Sequence, residues 1–329
     1  MTADVPRIET ALVESVRTPD PYLNEIAAHL IVAGGKRLRP LLTVVAAQVC
    51  GASDSDLRER SIQGGIACEL VQTGSLYHDD VIDEATTRRG VETVNAKWGN
   101  LQAILAGDFL LSRASEIAAS LGTEVAGLLA RTIGRLCEGQ IEELRQTYNS
   151  ARPESSYMAS ISGKTASLFA TAARIGGLVA GFDHGLTDVL TDYGEAYGIV
   201  FQIVDDLLDI TSTDDQLGKP AGHDMVEGVY TLPVLRTLQA GGVPAMELLA
   251  LLGKPLDMAE REKTLGIVRD NGGVASAFST AQAWVAKAVQ ACDALPASAA
   301  TDALRAAPEA LIASVSSAQL GPVTRWGRA

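Results

Sequence analysis

Two segments of the chain place three aspartates in the same order, Asp79-Asp80-Val81-Ile82-Asp83 and Asp205-Asp206-Leu207-Leu208-Asp209, 126 positions apart (79 to 205). Each lies near the end of a long stretch, roughly 55 to 84 and 183 to 212, in which apolar residues recur at helical spacing. On an α-helix Asp79 and Asp83 fall one turn apart on one face, as do Asp205 and Asp209, so each pair can converge on one point. Carboxylates at that spacing repel, and more strongly among apolar neighbours such as Val81, Ile82, Leu207 and Leu208, so something positive has to compensate. Ligands that are all oxygen suit a hard cation such as Mg2+, which keeps several waters and shares its remaining positions with phosphate. A single such run can be a solvated acidic helix end. Two runs on two long apolar helices argue against that.

The rest of the chain carries the same helical periodicity, with breaks near 18–21, 34–40, 51–55, 85–100, 149–154, 212–224, 241–244 and 296–301. The expected fold is all-α, a bundle of ten or more helices. No break resembles a long linker and no short repeat is visible, which predicts a single domain over 1–329. The end of the chain, 320–329, holds Gly321, Pro322 and Gly327 and reads as a frayed or docked tail. Aromatics are only 5% of the residues, and Ala, Leu and Val dominate the apolar set, as suits closely packed helices.

The formal net charge of -13 excludes the electrostatic footprint of a nucleic-acid binder and opposes an anionic membrane surface. Anionic ligands therefore need local cations, either clustered Lys and Arg or bound metal. The four cysteines, Cys50, Cys68, Cys137 and Cys292, show no metal-ligand spacing and are expected to be reduced packing residues. No N-terminal stretch has the pattern of a secretion signal, and no apolar run reaches the roughly 18 residues of a membrane span. The expected location is the cytoplasm, with no integral membrane segment.

Basic residues fall where a diphosphate site would use them. Gly34-Gly35-Lys36-Arg37-Leu38-Arg39-Pro40 is a turn with three cations just before an apolar helix, and Arg88-Arg89-Gly90 follows the first aspartates by five residues. Guanidinium forks there can take phosphate oxygens in pairs or simply neutralise Asp83 and Glu84. Lys164-Thr165 and Lys219 are further cations with polar neighbours.

Taken in order, GGKRLRP, HDDVIDEATTRRG, GDFLL at 107–111, GKT, FQIVDDLLD and LGKPAGHD followed by TLP make the chain resemble the trans-isoprenyl diphosphate synthases, or polyprenyl synthetase family, over nearly its whole length. The resemblance implies a helical bundle around a deep central cavity, a homodimer, and Mg2+-dependent head-to-tail (1'-4) condensation of isopentenyl diphosphate with an allylic diphosphate. By motif, it implies that Asp79 and Asp83 bind two of three Mg2+ ions and Asp205 the third, with Asp80, Asp206 and Asp209 in support. It assigns Arg88, Lys164 and Lys219 to the allylic diphosphate, and Lys36, Arg39 and Arg89 to isopentenyl diphosphate. Thr165 and Gln202 would stabilise the allylic cation by their dipoles. Charge building on the departing diphosphate is what preorganised cations stabilise, so the chemistry agrees with the residue types.

The chain departs from the family pattern at Gln72, where a His is usual, and at Val229, where a Lys is common. Both changes remove cationic or ionisable contacts and keep open a rival reading, a noncatalytic subunit of a hetero-oligomeric synthase. A terpene cyclase is a second rival, opposed by the intact second aspartate run. A di-iron bundle needs Glu-x-x-His pairs that His29, His78, His184 and His223 do not supply.

Product length is read from the residues upstream of Asp79, along which the substrate tail is expected to run. Val71, Gly74 and Ser75 are small, and Cys68, Ala67, Gly65 and Gly64 continue the run. From Asp79 back to Gly64 the helical rise is roughly 22 Å, which predicts geranylgeranyl or longer products unless these small residues serve close helix packing instead.

Overall fold

The computed structural model describes residues 4–51, 54–213 and 221–319. The helices follow the apolar periodicity, and their ends follow capping chemistry. Helix α1 is Val5–Ser15, α2 Pro21–Val32, α3 Leu38–Ala47 and α4 Ser55–Ile82. A two-stranded hairpin, β1 Thr87–Arg88 against β2 Val91–Glu92, separates α4 from α5 Val94–Trp98. Then come α6 Asn100–Leu121, α7 Thr123–Arg145, α8 Glu154–Ile161, a π-turn at Ser162–Ala166, α9 Ser167–Val179 and α10 His184–Thr211. Beyond the second aspartate run lie α11 His223–Val226, α12 Leu232–Ala240, α13 Gly242–Leu251, α14 Met258–Asp270, α15 Gly273–Ala291 and α16 Ala299–Gln319. The all-α expectation holds.

The two long helices match their sequence reading to within two residues. Helix α4 starts where the Asp54 side chain accepts from Leu57 N at 2.9 Å, an N-cap, and stops at Asp83 because Glu84 turns left-handed at φ 50°. Helix α10 starts after Asp183, whose side chain accepts from Leu186 N at 2.9 Å. A break at 252–257, around Gly253 and Pro255, has no counterpart in the sequence reading, and the expected break at 85–100 contains the hairpin and α5.

The described residues fall into two compact units, one drawn from 1–134, 168–194 and 293–304, the other from 135–167, 195–292 and 305–329. The first buries Ile26, Leu30, Ile66, Leu70, Val71, Tyr77 and Leu110, each worth about 1.5–3 kcal/mol for the larger aliphatic side chains. Tyr77 donates its hydroxyl to Ile26 O at 2.7 Å, tying α4 to α2. Close approach of α4 to its neighbours depends on glycine: a Cβ at Gly65 would lie 2.6 Å from Pro40 Cα, and one at Gly74 3.0 Å from Gly107 O. The second unit packs Tyr157, Ile161, Ile203, Leu207, Met225, Leu232, Leu265 and Val315 into one core. No helix among the described residues is long and apolar enough to cross a membrane.

None of the four cysteines is in a disulfide; Cys68 and Cys292 are buried and Cys50 and Cys137 exposed. The packing role expected for all four thus fits the first pair only. The tail 320–329 and Lys219 lie outside the described residues.

Candidate active site

The first aspartate run occupies the last turn of α4. Asp79 is half-buried, Asp83 is the exposed C-cap residue, and Asp80 is fully buried. Arg88 Nε donates to Asp80 Oδ1 at 2.5 Å, while Asp80 Oδ2 is buried with no hydrogen-bond partner among the described residues. Burial pushes the Asp80 carboxyl above its ordinary pKa, and Arg88 opposes that shift. The Arg88 guanidinium therefore contacts the middle aspartate of the run.

Hairpin geometry explains how Arg88 gets there. Arg89 and Gly90 form the two-residue loop with φ 55° and 77°, both left-handed, as a type I′ turn requires. Asn95 Nδ2 donates to the carbonyls of Asp80 and Ala85, each at 3.0 Å, and Thr93 Oγ1 donates to Ala85 O at 2.7 Å. These bonds fix the chain leaving the aspartates. Arg89, expected to bind isopentenyl diphosphate, spends its Nη1 on Leu30 O at 2.8 Å and on Gly34 O. Burial lowers its pKa against the pull of Glu69.

The turn 34–37 is irregular backbone held in the same unit. Lys36 is exposed, whereas Arg39 is 9% exposed and its guanidinium carbon stands 4.3 Å from the Phe169 ring centroid, a cation–π contact. Gln72 is half-buried on α4, and with Ser75, Leu76 and Asp79 it forms a partly exposed stripe one helix face wide. Upstream of Gln72 the stripe closes, since Cys68 and Glu69 are both buried. Val71 is fully buried, Gly74 abuts α6, and Ser75 donates its hydroxyl to Gln72 O at 2.9 Å.

In the second unit, the second run lies near the end of α10, with Asp205 exposed and Asp206 and Asp209 buried. Thr165 Oγ1 donates to Gln202 Oε1 at 2.7 Å, Gln202 Nε2 donates to Asp206 Oδ1 at 2.9 Å, and Tyr157 Oη donates to Asp206 Oδ2 at 2.5 Å. The chain of donors sets the Gln202 amide with its oxygen toward Thr165. Burial pushes the Asp206 carboxyl up to about 7, against the hydrogen bonds from Tyr157 and Gln202. Asp209 Oδ2 accepts from Asp224 N at 3.4 Å and its carbonyl from Gly222 N at 2.8 Å, which anchors the return into α11.

Lys164 and Thr165 sit on the π-turn, an irregularity that often marks functional helices. The π-turn packs backbone to backbone on α7: a Cβ at Gly139 would lie 2.5 Å from Lys164 N, and one at Gly163 2.8 Å from Arg135 O. Lys164 Nζ donates to Glu143 Oε1 at 2.8 Å. Behind Asp206, Arg152 is 4% exposed, donates to Ser160 Oγ at 2.8 Å and to Tyr230 O at 3.2 Å, and stands 5.7 Å from the Tyr157 ring centroid.

The first two aspartates of each run are thus built alike, while the third is exposed in one run (Asp83) and buried in the other (Asp209). The first aspartate is accessible and the middle one is buried in a hydrogen-bonded support, from Arg88 in one case and from Tyr157 and Gln202 in the other. Sequence reasoning named Arg88 and Gln202 but not Tyr157, Asn95, Arg152 or Glu143. Tyr157 lies 49 positions before Asp206 (206 − 157) and carries no local motif.

Comparison with known proteins decides the identity. Residues 20–266 match the family model described as polyprenyl synthetase. The chain belongs to the polyprenyl synthetase family. It is 38% identical over 287 residues to a nonaprenyl diphosphate synthase of Mycobacterium tuberculosis, covering 87% of this chain and 85% of that one. It is also 38% identical over 306 residues to heptaprenyl diphosphate synthase component 2 of Geobacillus stearothermophilus, covering 93% and 94%. Among solved structures, a polyprenyl synthase from Caulobacter crescentus, complexed with calcium and isoprenyl diphosphate, superposes with a TM-score of 0.88 at 32% identity, over 94% of both chains. The fold is accordingly the all-α isoprenoid-synthase fold, and this polyprenyl synthetase is a prenyltransferase that condenses isopentenyl diphosphate with an allylic diphosphate.

Proposed function

We propose that the enzyme uses Mg2+ at both aspartate runs to lengthen an allylic diphosphate to geranylgeranyl size or beyond. The observation that carries this reading is the repeated construction of the two runs, each with an accessible leading aspartate over a buried, braced one. Hard carboxylate oxygens, a buried Asp80 Oδ2 with no hydrogen-bond partner among the described residues, and an Asp206 carboxyl raised to about 7 are what a divalent cation would relieve. The calcium in the Caulobacter crescentus complex supports a divalent ion of this kind.

In this reading Asp79 and Asp83 hold two ions and Asp205 a third, with Asp80, Asp206 and Asp209 shaping the carboxylate ends. When bound, the ions supply Lewis-acid stabilisation of the departing diphosphate. Arg88, Lys164 and Lys219 hold the allylic diphosphate, and Lys36, Arg39, Arg89 and Gln72 the isopentenyl diphosphate. Thr165, whose proton is committed to Gln202, turns oxygen lone pairs toward developing positive charge. Released diphosphate takes the final proton, so no side-chain base is invoked.

Ser75, on the partly exposed stripe of α4, is the residue assigned to product length. Gly74 serves the packing of α4 on α6 and is given no part of its own in product length. The working assembly in this reading is a homodimer in the cytoplasm. The Geobacillus stearothermophilus relative is named as a component of a heptaprenyl diphosphate synthase, so a chain that needs a second component is the competing reading, favoured by Gln72 and Val229. Turnover by the purified chain alone, dependent on Mg2+ and abolished by EDTA, supports catalysis without a second component; turnover only on adding another component would reject it.

A further inference from the structure

Arg37, the middle cation of the turn 34–39, has no part in the roles above, yet it is the most enclosed of the three. Its side chain is 1% exposed. Nε donates to Glu9 Oε1 at 2.8 Å and Nη2 to Glu9 Oε2 at 3.0 Å, a two-point grip on α1. Nη1 donates to Glu69 Oε1 of α4 at 2.9 Å, and Nη2 also reaches Ile31 O of α2 at 2.6 Å. One guanidinium thus joins three helices at the base of the turn. Burial works against its charge, but the carboxylates of Glu9 and Glu69 outweigh that and hold its pKa above the ordinary value.

The backbone at this point is unusual in the way such a clamp would sustain. Arg37 has φ 48° and ψ 35°, left-handed, which costs a non-glycine residue about 1 kcal/mol or more. Gly35 lies directly on two guanidinium groups: a Cβ there would stand 2.9 Å from Arg37 Nη1 and 3.3 Å from Arg89 Cζ. Arg89 completes the layer through Leu30 O and Gly34 O. Gly35 and Lys36 are themselves exposed, so the turn is a single layer of peptide with guanidinium groups on one side and an open face on the other. Glu69, 4% exposed on its side chain, offsets the charge of both Arg37 and Arg89.

We propose that Arg37, with Glu9 and Glu69 as its counter-charges, is a positioning residue for isopentenyl diphosphate: it fixes the backbone of the turn from which Lys36 and Arg39 act. The proposal rests on the assignment of Lys36 and Arg39 to that substrate. A rigid turn keeps two cations in register with one diphosphate, and loosening it weakens that contact while leaving the allylic site unaffected.

The test compares the full chain with Arg37→Lys, which keeps the charge but loses the fork, and Glu9→Gln, which leaves the Arg37–Glu69 pair intact. Dissociation constants for isopentenyl diphosphate are measured by calorimetry, and KM for both substrates and kcat by turnover with Mg2+. The expected result is a rise of about tenfold in Kd and KM for isopentenyl diphosphate with Arg37→Lys, and about threefold with Glu9→Gln, while KM for the allylic primer and kcat at saturation stay within about twofold. Equal rises for both substrates, or wild-type affinity for isopentenyl diphosphate in both variants, would overturn it. If Arg37→Lys does not fold, Glu9→Gln decides alone. Failure of the function reading shows differently, as a wild-type chain that binds isopentenyl diphosphate and forms no product; a wild-type chain that does not bind it overturns both.

Discussion

Tyr157 and Asp206 are joined by a hydrogen bond of 2.5 Å between two buried side chains, the phenol donating to Oδ2. Because Gln202 occupies the other carboxylate oxygen and Thr165 occupies the Gln202 carbonyl, the phenol stands at the far end of a four-residue chain that begins at Thr165, the residue proposed to face the allylic cation. Tyr157→Phe removes the donor without changing the ring, leaving a buried carboxylate oxygen short of a partner at a cost of about 1–3 kcal/mol. The variant should fold with a lowered Tm and lose about tenfold in kcat, with a smaller change in KM. Steady-state kinetics beside a thermal melt check this; unchanged kcat would remove Tyr157 from the account.

The raised Asp206 pKa gives stability a defined pH dependence in the absence of metal. An unfolded Asp loses its proton near about 3.9, whereas the folded chain keeps this one up to about 7. Between those values the folded state binds more protons, so this group's contribution is undiminished at low pH and turns unfavourable as pH rises toward 7. Asp206→Asn should therefore flatten the fall in Tm between about pH 4 and about pH 7 measured in EDTA, the range set by the two pKa values. The same slope in variant and wild type would assign the pH dependence elsewhere.

Gly139 and Gly74 permit close approach of helices and should be intolerant of a methyl group. Gly139→Ala places a Cβ 2.5 Å from Lys164 N, which is backbone and cannot swing away, so a loss of about 1–3 kcal/mol is expected together with reduced activity. Gly74→Ala meets Gly107 O at 3.0 Å and should cost less, with product length unchanged. Denaturant melts and product chromatography separate the two effects.

Ser75→Phe should act on length instead. A bulky ring on the partly exposed stripe of α4 is expected to shorten the main product by one or more isoprene units at near-wild-type stability. An unaltered product distribution would sink the assignment of Ser75.

Much of this was readable in the sequence because it is local. Helical periodicity located α4 and α10, and the Asp-Asp-x-x-Asp spacing put Asp79 and Asp83 one turn apart and accessible, whereas it could not show that Asp209, one turn beyond the exposed Asp205, is buried. What escaped depends on partners distant in sequence. Nothing near Arg37 indicates that Glu9 and Glu69, 28 and 32 positions away, would bury it. Nothing around the second run points to Tyr157, and the small size of Gly74 reads equally as open space or as a helix contact until Gly107 is seen against it. Nor does the sequence show that a type I′ turn directs Arg89 Nη1 to the carbonyls of Leu30 and Gly34.

The most direct measurement of the central claim is product formation by the purified chain alone. Radiolabelled isopentenyl diphosphate and Mg2+ are supplied with dimethylallyl, geranyl, farnesyl or geranylgeranyl diphosphate in turn, and the dephosphorylated products are separated by length beside an EDTA control. The account predicts metal-dependent prenyl alcohols of geranylgeranyl length or longer. No product from any primer, in a folded preparation that still binds Mg2+ and diphosphate, would contradict it and make this chain one component of a larger synthase.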